Sequence, residues 1–252
     1  NTWQAYLEPV ADHEALKLVT NARVRRILFE GNRAVGVEYD RDGAREEARG
    51  ETVILCTGAL GSPEVLLRSG VGPRAELEEV GVDVVADVPG VGKNLHDHLL
   101  SPVIFTTEES HPLPDPEVAP AEVHLFAKSR PDAPVPDTQP IFFSVPMYSQ
   151  GYKNGEMSGP DKAFSLLGGL VRPVSRGSLV LTGAAPDDPV EVDLGALSQQ
   201  ADVDALVASV RHCRDIGRQP ALADAWGAQE VWPGPDVSGD ILEEYVRDSV
   251  VT

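Results

Sequence analysis

The chain has 252 residues, 42% of them hydrophobic, enough for a sizeable core in one large or two modest domains. Its 40 acidic side chains outweigh 21 Lys and Arg for a net charge of −19, which excludes a nucleic-acid partner and disfavours an anionic membrane surface. No run approaches the roughly 18 apolar residues of a membrane span, and the N-terminal residues do not read as a signal peptide.

Residues 14–20, EALKLVT, read as a short strand. From Arg23 to Arg49 apolar and polar residues alternate (Val24, Ile27, Phe29; then Val35, Val37, Tyr39), broken by Gly31-Asn32 and Asp42-Gly43. That pattern predicts a three-stranded antiparallel meander. The run ETVILCTG (51–58) is continuously apolar before it ends in small residues, as a strand covered on both faces would be. Cys56 at its end reads as a buried free thiol, and Cys213 is too distant for a disulfide or metal spacing, which fits a reducing, cytoplasmic setting. A helix follows to Arg68, with Ser62 as N-cap, Pro63 at the first helical position and Gly70 as the stop. A short helix, a short strand and the turn VPGVGKNLHDH (88–98) come next.

Beyond His98 the pattern changes. Strand candidates at 101–107, 121–128, 138–146, 163–172, 178–182 and 189–194 are separated by Pro-rich loops and predict a second, largely antiparallel sheet. Two helices close the chain. One spans about 200–218, with Val203, Leu206, Val207, Val210, Cys213 and Ile216 on one face and Asp202 near its start as a cap. The other spans about 239–249. The chain starts in a loop-like stretch at Asn1 and stops at Thr252 straight after a helical pattern, so both ends read as cut.

The stretch GALGSPEVLLRSGVG (58–72) resembles the second signature of the glucose-methanol-choline (GMC) family of flavoprotein oxidoreductases. TNARVRRI (20–27), VPGVGKNLHDH (88–98) and RPVSRGSLVL (172–181) resemble further family segments in the same order. So do SVRHCRDIGRQPAL and VWPGPDVSGDILEEYVRD near the end. The resemblance implies α/β plus α+β architecture. Residues 1–100 would be the later part of a Rossmann-like FAD-binding domain, and 101–252 a substrate domain incomplete at its C-terminus. It implies FAD as cofactor, a small-molecule alcohol as substrate, and oxidation to an aldehyde or ketone by hydride transfer to flavin.

Thr57, Gly58 and Ala59 end the apolar run without bulk, and a helix with free N–H groups begins there, which suits partial negative charge. A tight strand-to-helix connection needs the same small residues. The resemblance makes Thr57, Gly58, Ala59 and Ser62 flavin contacts. It makes the backbone of Val24 an adenine contact and brings Asn94, Asp97 and His98 near the flavin ring. Read on their own, Val24 is equally a core residue, and Asn94, Asp97 and His98 are turn residues bonding their own backbone. Resemblance to the family's choline-oxidising members makes Glu122 a substrate-chamber carboxylate for a cationic group, against an edge-strand Glu in solvent. His124 shares its face. Phe142, Phe143 and Tyr148 are possible pocket lining or ordinary core, and Arg172 and Arg176 read as strand anchors.

Two family segments have no counterpart here. There is no G-x-G-x-x-G, whose helix N-terminus binds the pyrophosphate, and no His in the family's His-Pro-Val-Gly context. The chain therefore reads as the middle portion of an enzyme. It carries no catalytic residue of its own, depends on the remaining segments of the same protein, and by itself is inactive and aggregation-prone. A same-fold member with lyase or photodecarboxylase chemistry, and a non-catalytic binding module, are the alternative readings.

Overall fold

Glycines that accept positive φ turn the alternating segment back on itself twice. In the computed structural model, which describes residues 1–108, 119–121, 123–149, 152 and 155–252, β1 (Arg23–Glu30), β2 (Arg33–Arg41) and β3 (Ala44–Arg49) form the predicted antiparallel meander in that order. Gly31 turns at φ +57°, and Asp42 and Gly43 turn at +51° and +80°. Val24 faces Tyr39 and Ile27 faces Val37 across β1 and β2, while every residue of β3 is exposed. The Arg25 guanidinium engages Asp40 and holds its carboxyl below the ordinary carboxylate range. The stabilisation this contributes is present at neutral pH and is lost as pH falls through that lowered value.

The chain divides into two compact units, Asn1–Lys93 with Leu179–Val192, and Asn94–Ser178 with Asp193–Thr252. In the first unit, helix α1 (Gly58–Arg68) buries Val65 and Leu67. Just past its end, the Ser69 hydroxyl accepts the Ile27 N–H of β1 at 2.8 Å. Gly70 follows at φ +79°, where any Cβ would sit 2.2 Å from the Asp83 carbonyl oxygen. The largely buried Arg68 side chain pairs with Glu64 at 3.0 Å and donates to the carbonyls of Ala185 (2.7 Å) and Asp188 (2.6 Å). It thereby fastens the returning segment, whose Leu179 and Leu181 complete an apolar cluster with Leu67 and Leu77.

Three expectations fail in this unit. Residues 14–20 form no strand, and neither do residues 53–57, with Ile54 81% exposed and Cys56 exposed rather than buried. A strand exists through its neighbours' backbone groups, and none of the described residues supplies them here. The helix also begins earlier than expected. Thr57, not Ser62, is the N-cap, and Pro63 lies inside the helix. Proline here removes the hydrogen bond to the Ala59 carbonyl and crowds that carbonyl, yet Val65 and Leu67 still bury their face.

The second unit is built on Ala163–Leu170, AFSLLGGL, a strand with all eight residues buried. It is central in an antiparallel sheet of order Gln229–Trp232, Leu99–Thr106, Ala163–Leu170, Ile141–Phe143, Val123–His124. The predicted strands over 101–107 and 163–172 are therefore present at nearly full length, while those over 121–128 and 138–146 shrink to two and three residues. Gln229–Trp232 adds a strand that is not among those predicted. The long helix Gln200–Gly217 covers the sheet with Val203, Leu206, Val207, Val210 and Cys213. Burial raises the thiol pKa of Cys213, keeping it neutral. Phe105 and Phe164 stack at 5.3 Å, with Trp226 edge-on to Phe164 at 5.5 Å.

Arg214 and Glu230 form a buried pair, 7% and 4% exposed, with Nε 2.9 Å from the carboxylate. The guanidinium also donates to the carbonyls of Val237 (2.7 Å), Gly234 (2.9 Å) and Pro235 (3.0 Å). Arg214→Ala leaves a buried carboxylate and three carbonyls without this partner. It should lower unfolding free energy by about 3–5 kcal/mol, read as an earlier urea midpoint. A loss under about 1 kcal/mol would place the pair among interactions that contribute little.

Candidate functional site

The first cluster of predicted residues is the beginning of α1. Thr57, Gly58 and Ala59 are exposed, and no side chain caps the helix's first N–H groups. The Thr57 hydroxyl lies 3.2 Å from that of Ser62, so Ser62 belongs to the same end although it is not the cap. Gly58 has φ +84°, and a Cβ built on it meets nothing within 4 Å. The residue is thus glycine for its backbone conformation, and the space above it is open. Unpaired N–H groups at a helix start carry partial positive charge, so this end is complementary to phosphate oxygens or a ring carbonyl. Val24, on β1, is half-buried opposite Tyr39, and the strand is irregular between Val24 and Arg26. β1 is an edge strand of the meander, which leaves backbone groups on one side for a ligand.

The second cluster lies in the other unit, on the turn Asn94–His98. Asn94 takes φ +59°, a left-handed conformation that Asn tolerates better than most side chains. Asp97 Oδ1 accepts the backbone N–H of His98 at 2.8 Å, and His96, Asp97 and His98 are all exposed. The turn packs against Pro173 and Ser175 around a void of about 10 Å³, room for a single water. The Pro173–Arg176 turn is itself held from below. Asp202, 1% exposed, accepts the N–H groups of Val174 and Ser175 at 2.7 Å each. The Ser175 hydroxyl accepts the Gln199 N–H at 3.1 Å. Asp202 therefore positions this turn and does not cap its own helix, whose N-cap is Gln199. An acidic residue in a first turn has two explanations in sequence, and only the fold separates them.

Of the remaining candidates, Glu122 lies outside the described residues. His124 is exposed, its Nδ1 3.1 Å from the Gln139 amide nitrogen. Phe142 packs on Phe164 and Trp226 at the core, and the Tyr148 hydroxyl donates to the Pro160 carbonyl. Arg176 donates to the carbonyls of Pro173 and Ser175 and makes no ion pair among the described residues. A cleft of about 640 Å³ in the first unit is lined by Arg25, Arg26, Arg45, Arg49 and Arg68. Each of these arginines already faces a carboxylate, and no predicted residue lines the cleft. Among the described residues no His, Cys, Asp and Glu group has the arrangement of a metal site, and no helix is long and apolar enough to cross a membrane.

Comparison with known proteins identifies the family. The models of the GMC oxidoreductase family match residues 1–100 and 173–252. Mitochondrial choline dehydrogenase of Mus musculus is 36% identical over 96% of this chain and 44% of its own length. Oxygen-dependent choline dehydrogenase of Burkholderia cenocepacia is 34% identical over 98% of this chain and 47% of its own. The crystal structure of pyridoxine 4-oxidase from Mesorbium loti superposes over the whole chain and 49% of its own, with a TM-score of 0.90 and 29% identity. Formate oxidase, at 19% identity and a TM-score of 0.81, shares the fold. The chain spans about half the length of the curated relatives it matches. It belongs to the GMC oxidoreductase family, whose cofactor is FAD.

Asp202 gives this region a direct test. Asp202→Ala removes two charge-assisted hydrogen bonds, each worth about 1.5–3 kcal/mol, from a buried site. Thermal unfolding should show a loss of about 3 kcal/mol or more. An unchanged melt would mean that the Pro173–Arg176 turn holds itself.

Proposed function

We propose that this chain is the middle portion of an FAD-dependent alcohol oxidoreductase. Residues 1–100 would form the later part of its FAD-binding domain and 101–252 most of its substrate domain. The observation that carries the reading is the uncapped, exposed start of α1 over a glycine at φ +84°, in the segment that matches the family signature. The residues present fit the cofactor. The N–H groups of the first turn, from Gly58 onward, would face its electron-rich atoms, and the Thr57 and Ser62 hydroxyls would add two further donors. The backbone of Val24 would pair with the adenine, and Asn94, Asp97 and His98 would border the ring system.

FAD, held by these residues, would supply the acceptor for a hydride from the alcohol carbon, and the protein would orient the substrate. The aromatic and aliphatic side chains of the second unit would exclude water from one wall of the substrate chamber. The base that takes the hydroxyl proton lies on another segment of the same enzyme. The substrate is a small alcohol, with choline the first to be tried, because the relatives at 34–36% identity are named for it.

The test is anaerobic mixing of the longer protein that contains this chain with choline and with a panel of primary and secondary alcohols. Loss of the oxidised-flavin absorbance with one of them is the expected result. Bound flavin that no alcohol bleaches would favour the non-redox chemistry known for this fold. Gly58→Ala should impair cofactor retention, since an Ala at this φ costs about 1–3 kcal/mol, which, if it falls on the bound state, is roughly 5- to 150-fold in flavin affinity. Unaltered flavin content in that variant would remove the α1 start from the site.

A further inference from the structure

One edge of the Leu99–Thr106 strand is paired along its whole length with Ala163–Leu170. The other edge is occupied in pieces. Gln229–Trp232 covers Ile104, Phe105 and Thr106. The Tyr245 hydroxyl donates to the Pro102 carbonyl at 2.6 Å, and the Ser101 and Ser249 hydroxyls meet at 2.7 Å. Then Leu100 and Val251 exchange both backbone hydrogen bonds, N–H to O, at 2.9 Å each. This last pair is antiparallel, so the two chains run on past each other in opposite directions. If that register continued, Thr252 would face Leu99 as a non-hydrogen-bonded pair, and the residue after Thr252 would face His98 as the next hydrogen-bonded pair. On this edge no described residue pairs with Leu99 or His98. Among the described residues, the partner of the His98 N–H is the neighbouring Asp97 carboxylate.

We propose that the polypeptide following Thr252 in the longer protein lies along this edge, antiparallel to His96–His98, and adds a strand segment to the sheet. The inference rests on the reading of the chain as part of a longer enzyme. The relatives are more than twice as long as the stretch they share with this chain, and the proposed occupant belongs to that additional length. Its direction is fixed by the Leu100–Val251 pair, and its start is clamped by Ser249 and Tyr245. Burial raises the Tyr245 phenol pKa, so its hydroxyl keeps the proton it donates. The exposed turn of His96, Asp97 and His98 thus becomes the seat of the next segment. His98 is a positioning residue through its backbone, independently of its imidazole.

Two measurements on the longer protein test this. Hydrogen exchange should show the His98 amide slowed about 100-fold or more relative to an open turn, as for other paired strand amides. In a Cys56→Ser background, Leu99→Cys with Thr252→Cys should form a disulfide under mild oxidation, because such a pair brings Cα atoms to about 4.5 Å. A His98 amide exchanging at the open-turn rate, or failure of the cysteines to link while the protein stays folded, would overturn the proposal. The colour of the same sample separates the two claims. Yellow protein without pairing sinks only the strand extension, and colourless protein with pairing sinks only the flavin reading.

Discussion

Glycine at two contacts lets the second unit close. At Gly168 a Cβ would lie 2.9 Å from the Val210 backbone nitrogen, and at Gly217 it would lie 2.1 Å from the Phe105 ring. The long helix can therefore sit directly on the buried central strand, and that contact organises the rest. It buries Val203, Leu206, Val210 and Cys213, and it sets Arg214 over Glu230, where the guanidinium gathers the carbonyls of the 234–237 loop. The loop leads into the last helix, whose Tyr245 and Ser249 reach the Leu99–Thr106 strand. Packing density thus translates into the direction in which the chain leaves Val251.

The first unit is held differently. Its apolar cluster is small, and polar clamps do much of the joining, with Ser69 at β1 and Arg68 at the 185–188 carbonyls. What it leaves bare is informative. Residues 53–57 are as apolar as a buried strand yet unpaired, and the helix they feed has an uncapped start. A hydrophobic segment and a row of N–H groups open at one place are where the proposed function would set neighbouring strands and the cofactor.

Much of this was legible in the sequence because local rules sufficed. The meander follows from alternation punctuated by Gly31 and Gly43, and both closing helices follow from 3.6-residue spacing. Misreadings arose where a partner distant in sequence decides the outcome. Cys56 and Ile54 look buried only if a sheet covers them. Asp202 looks like a cap until the Pro173–Arg176 turn is placed above it. Gln229–Trp232 is a strand because Leu99–Thr106 lies beside it, which no short window reveals. Among the site residues, the α1 start was visible as a run of small residues before an amphipathic stretch. The association of Asn94–His98 with Pro173–Ser175 depends on tertiary packing alone.

Family membership rests on matches that flank a central stretch, and the functional account rests on one open helix end. The visible absorption spectrum of the longer protein, purified without denaturation, tests that account most directly. Oxidised-flavin bands that persist through gel filtration and disappear on unfolding and separation are the predicted result. A colourless protein, folded and taking up no FAD when supplied with it, would contradict the account.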